Sequence, residues 1–164
     1  MKLYITGTPG TGKSTLSIAL QKHYKNLEPI EIKTLLINFN LLEEYEPDRD
    51  TTIFDDISAT KIIKKFLESK DNYILVGPVL PLADLDFDSI IVLTCSLKNV
   101  LEERLAKRSY KISKIKENVE AELVGEVLGE TLDLFSKKSK VLVLDSCKLS
   151  VQELINKITS NKPK

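Results

Sequence analysis

An α/β fold, a parallel sheet with helices on both faces, is what this sequence of 164 residues predicts. Short apolar runs recur along the whole chain, stretches of helical period separate them, and a glycine-rich turn follows the first run. Leu3–Thr6 is the first strand, and Gly7–Ser14 is the turn. Leu16, Ala19, Leu20 and His23 then fall at i, i+3, i+4 and i+7 of a helix, with His23 as a packed residue on its apolar face. Ile30–Ile32 is the second strand. Glu43–Asp56 shows no convincing period and reads as a long functional loop. After it come a helix over Ile57–Leu67 and strands at Tyr73–Gly77, Ile90–Thr94 and Val141–Leu144. Ser96 is placed to cap a helix over Leu97–Lys107. Ser113 is placed to cap a longer one over Lys114–Phe135, in which Ile115, Val119, Leu123 and Val127 repeat every four residues. Ser150 and Glu153 form a capping box for the last helix. The length suits a single domain over residues 1–164.

The composition narrows the chemistry. A hydrophobic content of 42% with 29% charged residues is ordinary for a globular chain. Zero net charge argues against nucleic-acid capture by bulk electrostatics. One histidine, His23, excludes any zinc site or triad needing a second. Cys95 and Cys147 have no metal-ligand spacing and read as buried free thiols. No apolar run is long enough to span a membrane, so a cytoplasmic monomer is expected.

Gly7-Thr8-Pro9-Gly10-Thr11-Gly12-Lys13-Ser14 matches G-x-x-x-x-G-K-[ST] at every position and is followed by Thr15. A strand before it and an amphipathic helix after it are the context in which the motif carries meaning. Glycines let successive backbone N–H groups turn inward onto phosphate oxygens, and the helix N-terminus adds partial positive charge. Gly10, Thr11, Gly12, Lys13, Ser14 and Thr15 are therefore the candidate phosphate site. Lys13 would reach the β- and γ-phosphates of ATP, and the Ser14 hydroxyl would ligate Mg2+.

Arginine is scarce: Arg49, Arg104 and Arg108 are the only three. Arg104 and Arg108 are four apart, hence on one face of a helix, and their planar forks suit phosphoryl oxygens in a way lysine cannot copy. Together with Lys13 they are the candidate catalytic residues.

The run Arg104-Leu105-Ala106-Lys107-Arg108-Ser109-Tyr110, followed by Lys114 to Leu123 with Asn118-Val119-Glu120-Ala121-Glu122, resembles the lid and following helix of the adenylate kinase isoenzyme 6 family. These are small adenylate kinase-like ATPases that also act in small ribosomal subunit assembly, and the chain resembles a prokaryotic or archaeal-type member. The Thr-Pro-Gly-Thr core of the phosphate loop and the chain length are similar too. The resemblance implies a P-loop NTPase fold of the nucleoside-monophosphate-kinase type, with five parallel strands, helices on both faces and a short lid. It implies an acceptor segment at about 30–63, a lid at about 104–116, and Asp145–Lys148 lining the adenine. It implies transfer from ATP to AMP, with Mg2+ and some ATP hydrolysis. A basic small-subunit ribosomal protein, or rRNA, is the implied partner, with the acidic stretch around Glu43, Glu44, Glu46, Asp48 and Asp50 suited to it. Arg49 is a second candidate, for clamping the acceptor phosphate.

One departure stands out. The family carries an Asp and a His just after the third strand of its fold, and alignment places Val76 and Pro78 there. Neither side chain can serve a metal-bound water. Asp55 and Asp56, at the start of the Ile57–Leu67 helix, are the expected replacement carboxylates for Mg2+, with helix capping as their alternative role. Asp84 and Asp86 come second. Three readings stay open: an adenylate kinase, a nucleotide-gated assembly factor with little kinase activity, and another small-molecule kinase of the same fold.

Overall fold

The computed structural model describes residues 1–46 and 51–161, with the side chains of 42–46 and 51–53 left aside. Its elements in chain order are β1 (Lys2–Thr6), α1 (Lys13–His23), β2 (Glu28–Glu31), α2 (Ile32–Asn38), β3 (Leu42–Glu46), β4 (Thr51–Phe54) and α3 (Asp56–Leu67). They continue with β5 (Tyr73–Val76), β6 (Ser89–Thr94), α4 (Lys98–Ala106), α5 (Ile112–Val124), α6 (Glu126–Phe135), β7 (Val141–Asp145) and α7 (Val151–Ser160). Five strands form one sheet in the order β2-β5-β1-β6-β7, and every pairing is parallel. The predicted fold class holds: the chain has the P-loop fold of the nucleoside-monophosphate-kinase type.

Parallel strands buried on both faces need apolar residues at every position, which is why Ile74, Leu75 and Val76, or Ile90 to Leu93, do not alternate with polar ones. Tyr4, Ile30, Leu75, Ile90 and Phe135 pack on one face with residues of α2 and α3. Leu3, Ile5, Val76, Ile91 and Leu93 pack on the other with Leu16 and Leu20 of α1 and Leu154, Ile155 and Ile158 of α7. Leu16 and Leu20 are 1% and 0% exposed, so each contributes roughly 2 kcal/mol by burial. With β1 central, its carboxyl end opens the crevice where ligands of such sheets sit.

Several local expectations change. The aperiodic stretch contains an antiparallel ribbon, β3 against β4 with Tyr45 opposite Thr52; backbone pairing holds it without an apolar stripe that periodicity could detect. Arg49, Asp48 and Asp50 lie outside the described residues, as do the side chains of Glu43, Glu44 and Glu46. Leu97, not Ser96, occupies the N-cap of α4. Helix α5 starts at Ile112 with Ser113 already inside it, and it stops at Gly125, where φ is +71°. A repeat of four advances about 400°, so an apolar stripe drifts about 40° per repeat and cannot stay buried along one straight helix. Leu123 is accordingly exposed, and the chain turns at Gly125 into α6. His23 is exposed, with its ring edge-on to Tyr24, rather than packed in the core. The predicted capping box of Ser150 and Glu153 is present on α7.

The cysteines correct the reading most clearly. Cys95 and Cys147 form a disulfide with Cα atoms 5.1 Å apart. Cys95 directly follows Thr94, and Cys147 lies two residues past Asp145, the register partner of Thr94 in β7. Strand pairing thus juxtaposes two residues 52 positions apart, within the range a disulfide needs.

Candidate functional site

The phosphate loop runs from the end of β1 to the start of α1. Gly10 sits at φ +90°, and a Cβ there would lie 2.8 Å from Leu101 Cδ1 and 3.1 Å from Leu105 Cδ2. Glycine is needed twice over, by conformation and by the close approach of α4. Thr11 Oγ1 donates to the Thr8 carbonyl at 2.8 Å and pins the turn. Helix α1 begins at Lys13 with Gly12 as N-cap, no side chain bonded into the cap and no acid in its first turn. Its first N–H groups are thus left for an anion, which is the donor set a polyphosphate fits.

Lys13 folds back over the loop, donating from Nζ to the Gly7 carbonyl at 2.6 Å and the Thr8 carbonyl at 3.1 Å. Its pKa is lowered to about 8, first by burial and then by the positive charge of Arg108; Glu31 and Glu122 pull weakly the other way. Two cations are therefore held near one another at a cost that a bound polyphosphate would relieve.

A cleft of about 350 Å³ opens beside the loop. Gly10, Thr11, Gly12 and Thr15 line it together with Arg104, Arg108 and Ser146. Arg104 donates from its two terminal nitrogens to Ser146 Oγ and to the Ser146 carbonyl, both at 3.0 Å, with the Gly10 carbonyl 3.5 Å away. It ties the loop after β7 to the phosphate loop. Arg108 lies beyond the C-terminus of α4, is exposed, and lines the cleft. The spacing predicted one helix face for the two arginines, but α4 ends at Ala106 and leaves Arg108 in the turn that follows, so the structure gives them different surroundings.

Asp145 organises the far wall. Its Oδ1 accepts from the N–H of Cys147 at 2.9 Å and of Ser96 at 3.4 Å, and Lys148 lies 3.6 Å from Oδ2. Burial opposes its ionisation, but these bonds and Lys148 hold the carboxyl below the usual range. Ser146 and Leu149, on either side of Cys147 and Lys148, line the cleft.

The acids expected to serve a metal lie at the start of α3 and in the segment after β5. Asp55 is the N-cap of α3 and accepts from the Ser58 N–H at 2.8 Å, which lowers its pKa. Asp56 follows in the first turn of that helix, and Asp84 pairs with Lys64 at 2.8 Å. Sequence reasoning missed two acids. Glu31, at the end of β2, accepts from Ser14 Oγ at 2.8 Å. Glu122 of α5 accepts from the Cys95 N–H at 2.6 Å. No local pattern marks Glu31: the predicted strand Ile30–Ile32 placed it mid-strand, and only the structure ends β2 at this residue.

The donor set beside Lys13 suits Mg2+. Neighbouring oxygens around an octahedral ion with bonds of 2.0–2.1 Å are about 2.9 Å apart, close to the Ser14–Glu31 separation of 2.8 Å. Among the described residues no group of three or more His, Cys, Asp and Glu could hold a metal. No helix among the described residues is long and apolar enough to cross a membrane.

Comparison with known proteins agrees with this geometry. A family model described as an AAA domain matches residues 3–125. A protein named "putative adenylate kinase" from Methanocaldococcus jannaschii is 34% identical over 96% of this chain and 84% of its own length. One of the same name from Sulfurisphaera tokodaii is 31% identical over 98% of this chain and 82% of its own length. An adenylate kinase isoenzyme 6 homologue from Drosophila melanogaster is 27% identical over 81% and 75% of the two chains. In fold, the chain is similar to deoxyadenosine kinase from M. mycoides, with a TM-score of 0.64, 22% identity, and coverage of 99% of this chain and 100% of that one. With its phosphate loop at the end of the central strand, the chain belongs to the adenylate kinase-like family of P-loop proteins.

Proposed function

We propose that this chain is an ATP- and Mg2+-dependent nucleoside monophosphate kinase that transfers the γ-phosphoryl group to AMP and, slowly, to water. The names of its archaeal relatives support the acceptor class. The observation that carries the reading is the meeting of Lys13 and Arg108 around an uncapped helix N-terminus, with Arg104 closing one wall. Such a site concentrates positive charge where a polyphosphate transfers its terminal group.

Phosphoryl transfer needs positioning and charge neutralisation more than a covalent nucleophile. The first N–H groups of α1 bind and orient the phosphates. Lys13 swings from the Gly7 and Thr8 carbonyls to the β- and γ-oxygens, and the bound anion stabilises its charged form. Arg108 neutralises charge on the group in flight, as such donors do in preorganised sites. Arg104 holds Ser146 and the phosphate loop together, so the nucleoside end is walled before chemistry begins. Ser14 would hold Mg2+, which would supply positive charge to offset that of the phosphates. Closure of residues 107–111 over the cleft excludes water, which keeps hydrolysis slow relative to transfer.

A second reading, a nucleotide-gated assembly factor that grips a basic small-subunit ribosomal protein or rRNA, draws support from Val76 and Pro78 at the expected Asp and His positions and from the similarity to the isoenzyme 6 homologue. One experiment separates them. ADP formation from ATP and Mg2+ is measured with and without AMP, beside the variant carrying Arg104→Ala and Arg108→Ala. AMP-dependent turnover lost in the variant supports the kinase. Tight ATP binding without AMP-dependent turnover refutes it and leaves the assembly factor.

A further inference from the structure

We propose that Glu31 is the carboxylate that completes the Mg2+ site beside Ser14, relocated to β2 from the end of β5. The assignment rests on the phosphate-site reading above and adds to it a residue that no motif marks.

Register makes the case. Glu31 is the Cα partner of Val76 in the β2–β5 pairing, and Val76 is where the family pattern expects its acid. In a parallel pair, residues in register point to the same face, and neighbouring strands lie about 4.8 Å apart. A carboxylate at Glu31 therefore stands one strand away from the expected one, on the same side of the sheet. The extra methylene of Glu over Asp spans part of that offset. Its Oε1 is 2.8 Å from Ser14 Oγ, the hydroxyl that directly follows Lys13.

The end of β5 cannot supply an acid at the next position. A Cβ at Gly77 would lie 2.7 Å from Ile32 Cβ, so the first residue of α2 fills that space. Ile32 is fully buried, and Glu31 precedes it directly. The packing that bars a side chain from position 77 is thus the same packing that anchors Glu31. Three other acids are committed: Asp55 to the Ser58 N–H, Asp84 to Lys64, and Glu122 to the Cys95 N–H.

The test is metal-dependent binding, apart from turnover. Affinity for the non-hydrolysable analogue AMPPNP is measured by calorimetry in excess Mg2+ and in EDTA, for wild type, Glu31→Gln, Glu122→Gln and Glu28→Gln. Mn2+ resonance spectra of the ternary complexes serve as a second readout. Gln keeps the hydrogen bond from Ser14 and removes only the charge, and thermal unfolding checks that each variant is folded. We expect Glu31→Gln to bind AMPPNP in EDTA like wild type and to lose about tenfold or more of the gain in affinity that Mg2+ confers. Its Mn2+ spectrum should change, and Glu28→Gln, whose carboxylate meets Lys70, should match wild type. A Glu31→Gln protein with the full Mg2+ gain overturns the assignment alone. So does an equal loss in Mg2+ and EDTA, or loss of the gain in Glu122→Gln but not in Glu31→Gln. Wild type that binds no AMPPNP in either condition overturns this assignment and the phosphate-site reading together.

Discussion

Breaking the Cys95–Cys147 bridge should loosen both the fold and the nucleotide cleft. The bridge closes a loop with a sequence separation of 52 residues, which holds α4, α5, α6 and β7. In the chain-entropy model such a cross-link stabilises the native state by about 4 kcal/mol through the unfolded ensemble. For a domain of this size each kcal/mol is worth about 2–4 °C in Tm, so reduction should lower Tm by roughly 8–16 °C. Cys95 is also buried beside Leu101, Leu105 and Val119, so substituting it would add a packing loss. Reduction of the wild type, which keeps both sulfurs, is the cleaner perturbation, with the Cys147→Ser variant as its partner. Urea unfolding followed by circular dichroism, oxidised and reduced, reads the difference directly. Thiol titration of the unfolded, unreduced protein should find no free thiol. The cleft should respond as well, because Ser146 precedes Cys147 and holds Arg104. Reduced protein should bind ATP more weakly as that wall loses preorganisation. Two free thiols in the oxidised protein would refute the bridge, and a stability change below about 1 kcal/mol would refute the loop-closure argument.

Three further outcomes follow from the site. Lys13, with a pKa near 8 in the free protein, releases its proton before the unfolded chain does, so its contribution to stability rises with pH from about 8 to about 10.5. ATP reverses the shift: at pH 8.5 binding should take up about three quarters of a proton, read by calorimetry in buffers of different ionisation heat, and Lys13→Met should abolish the uptake. Arg108→Ala should lower kcat about 100-fold or more, whereas Arg104→Ala should act chiefly on KM for ATP, since its bonds hold a wall of the cleft; steady-state kinetics with varied ATP distinguishes them. Gly10→Ala, forced against Leu101 and Leu105 at φ +90°, should destabilise by about 1–3 kcal/mol and weaken ATP binding, both measurable by thermal shift with and without nucleotide.

Much of the fold was legible because it is written locally. Continuous apolar runs at Tyr73–Val76 and Ser89–Thr94 can only be strands buried on both faces, and Ser150 with Glu153 announces α7 within four residues. Helix α5 ended earlier than its apolar repeat suggested, because a four-residue repeat drifts off the buried face before Gly125 turns the chain. The β3–β4 ribbon escaped notice because its backbone pairing leaves no apolar stripe in the sequence.

By itself, the sequence determined the phosphate loop. Gly10 to Ser14 are contiguous, and their conformation depends on their own φ angles and on the helix that follows. The spacing of Arg104 and Arg108 suggested one helix face, but α4 stops at Ala106, before Arg108 is reached. Tertiary structure alone decided which partners those residues meet. It set Glu31 beside Ser14 and opposite Val76, joined Cys95 to Cys147, and gave Ser146 to Arg104. Each of these pairings depends on strand order and register in a parallel sheet, which long crossovers separate in sequence and which only the packed core brings together.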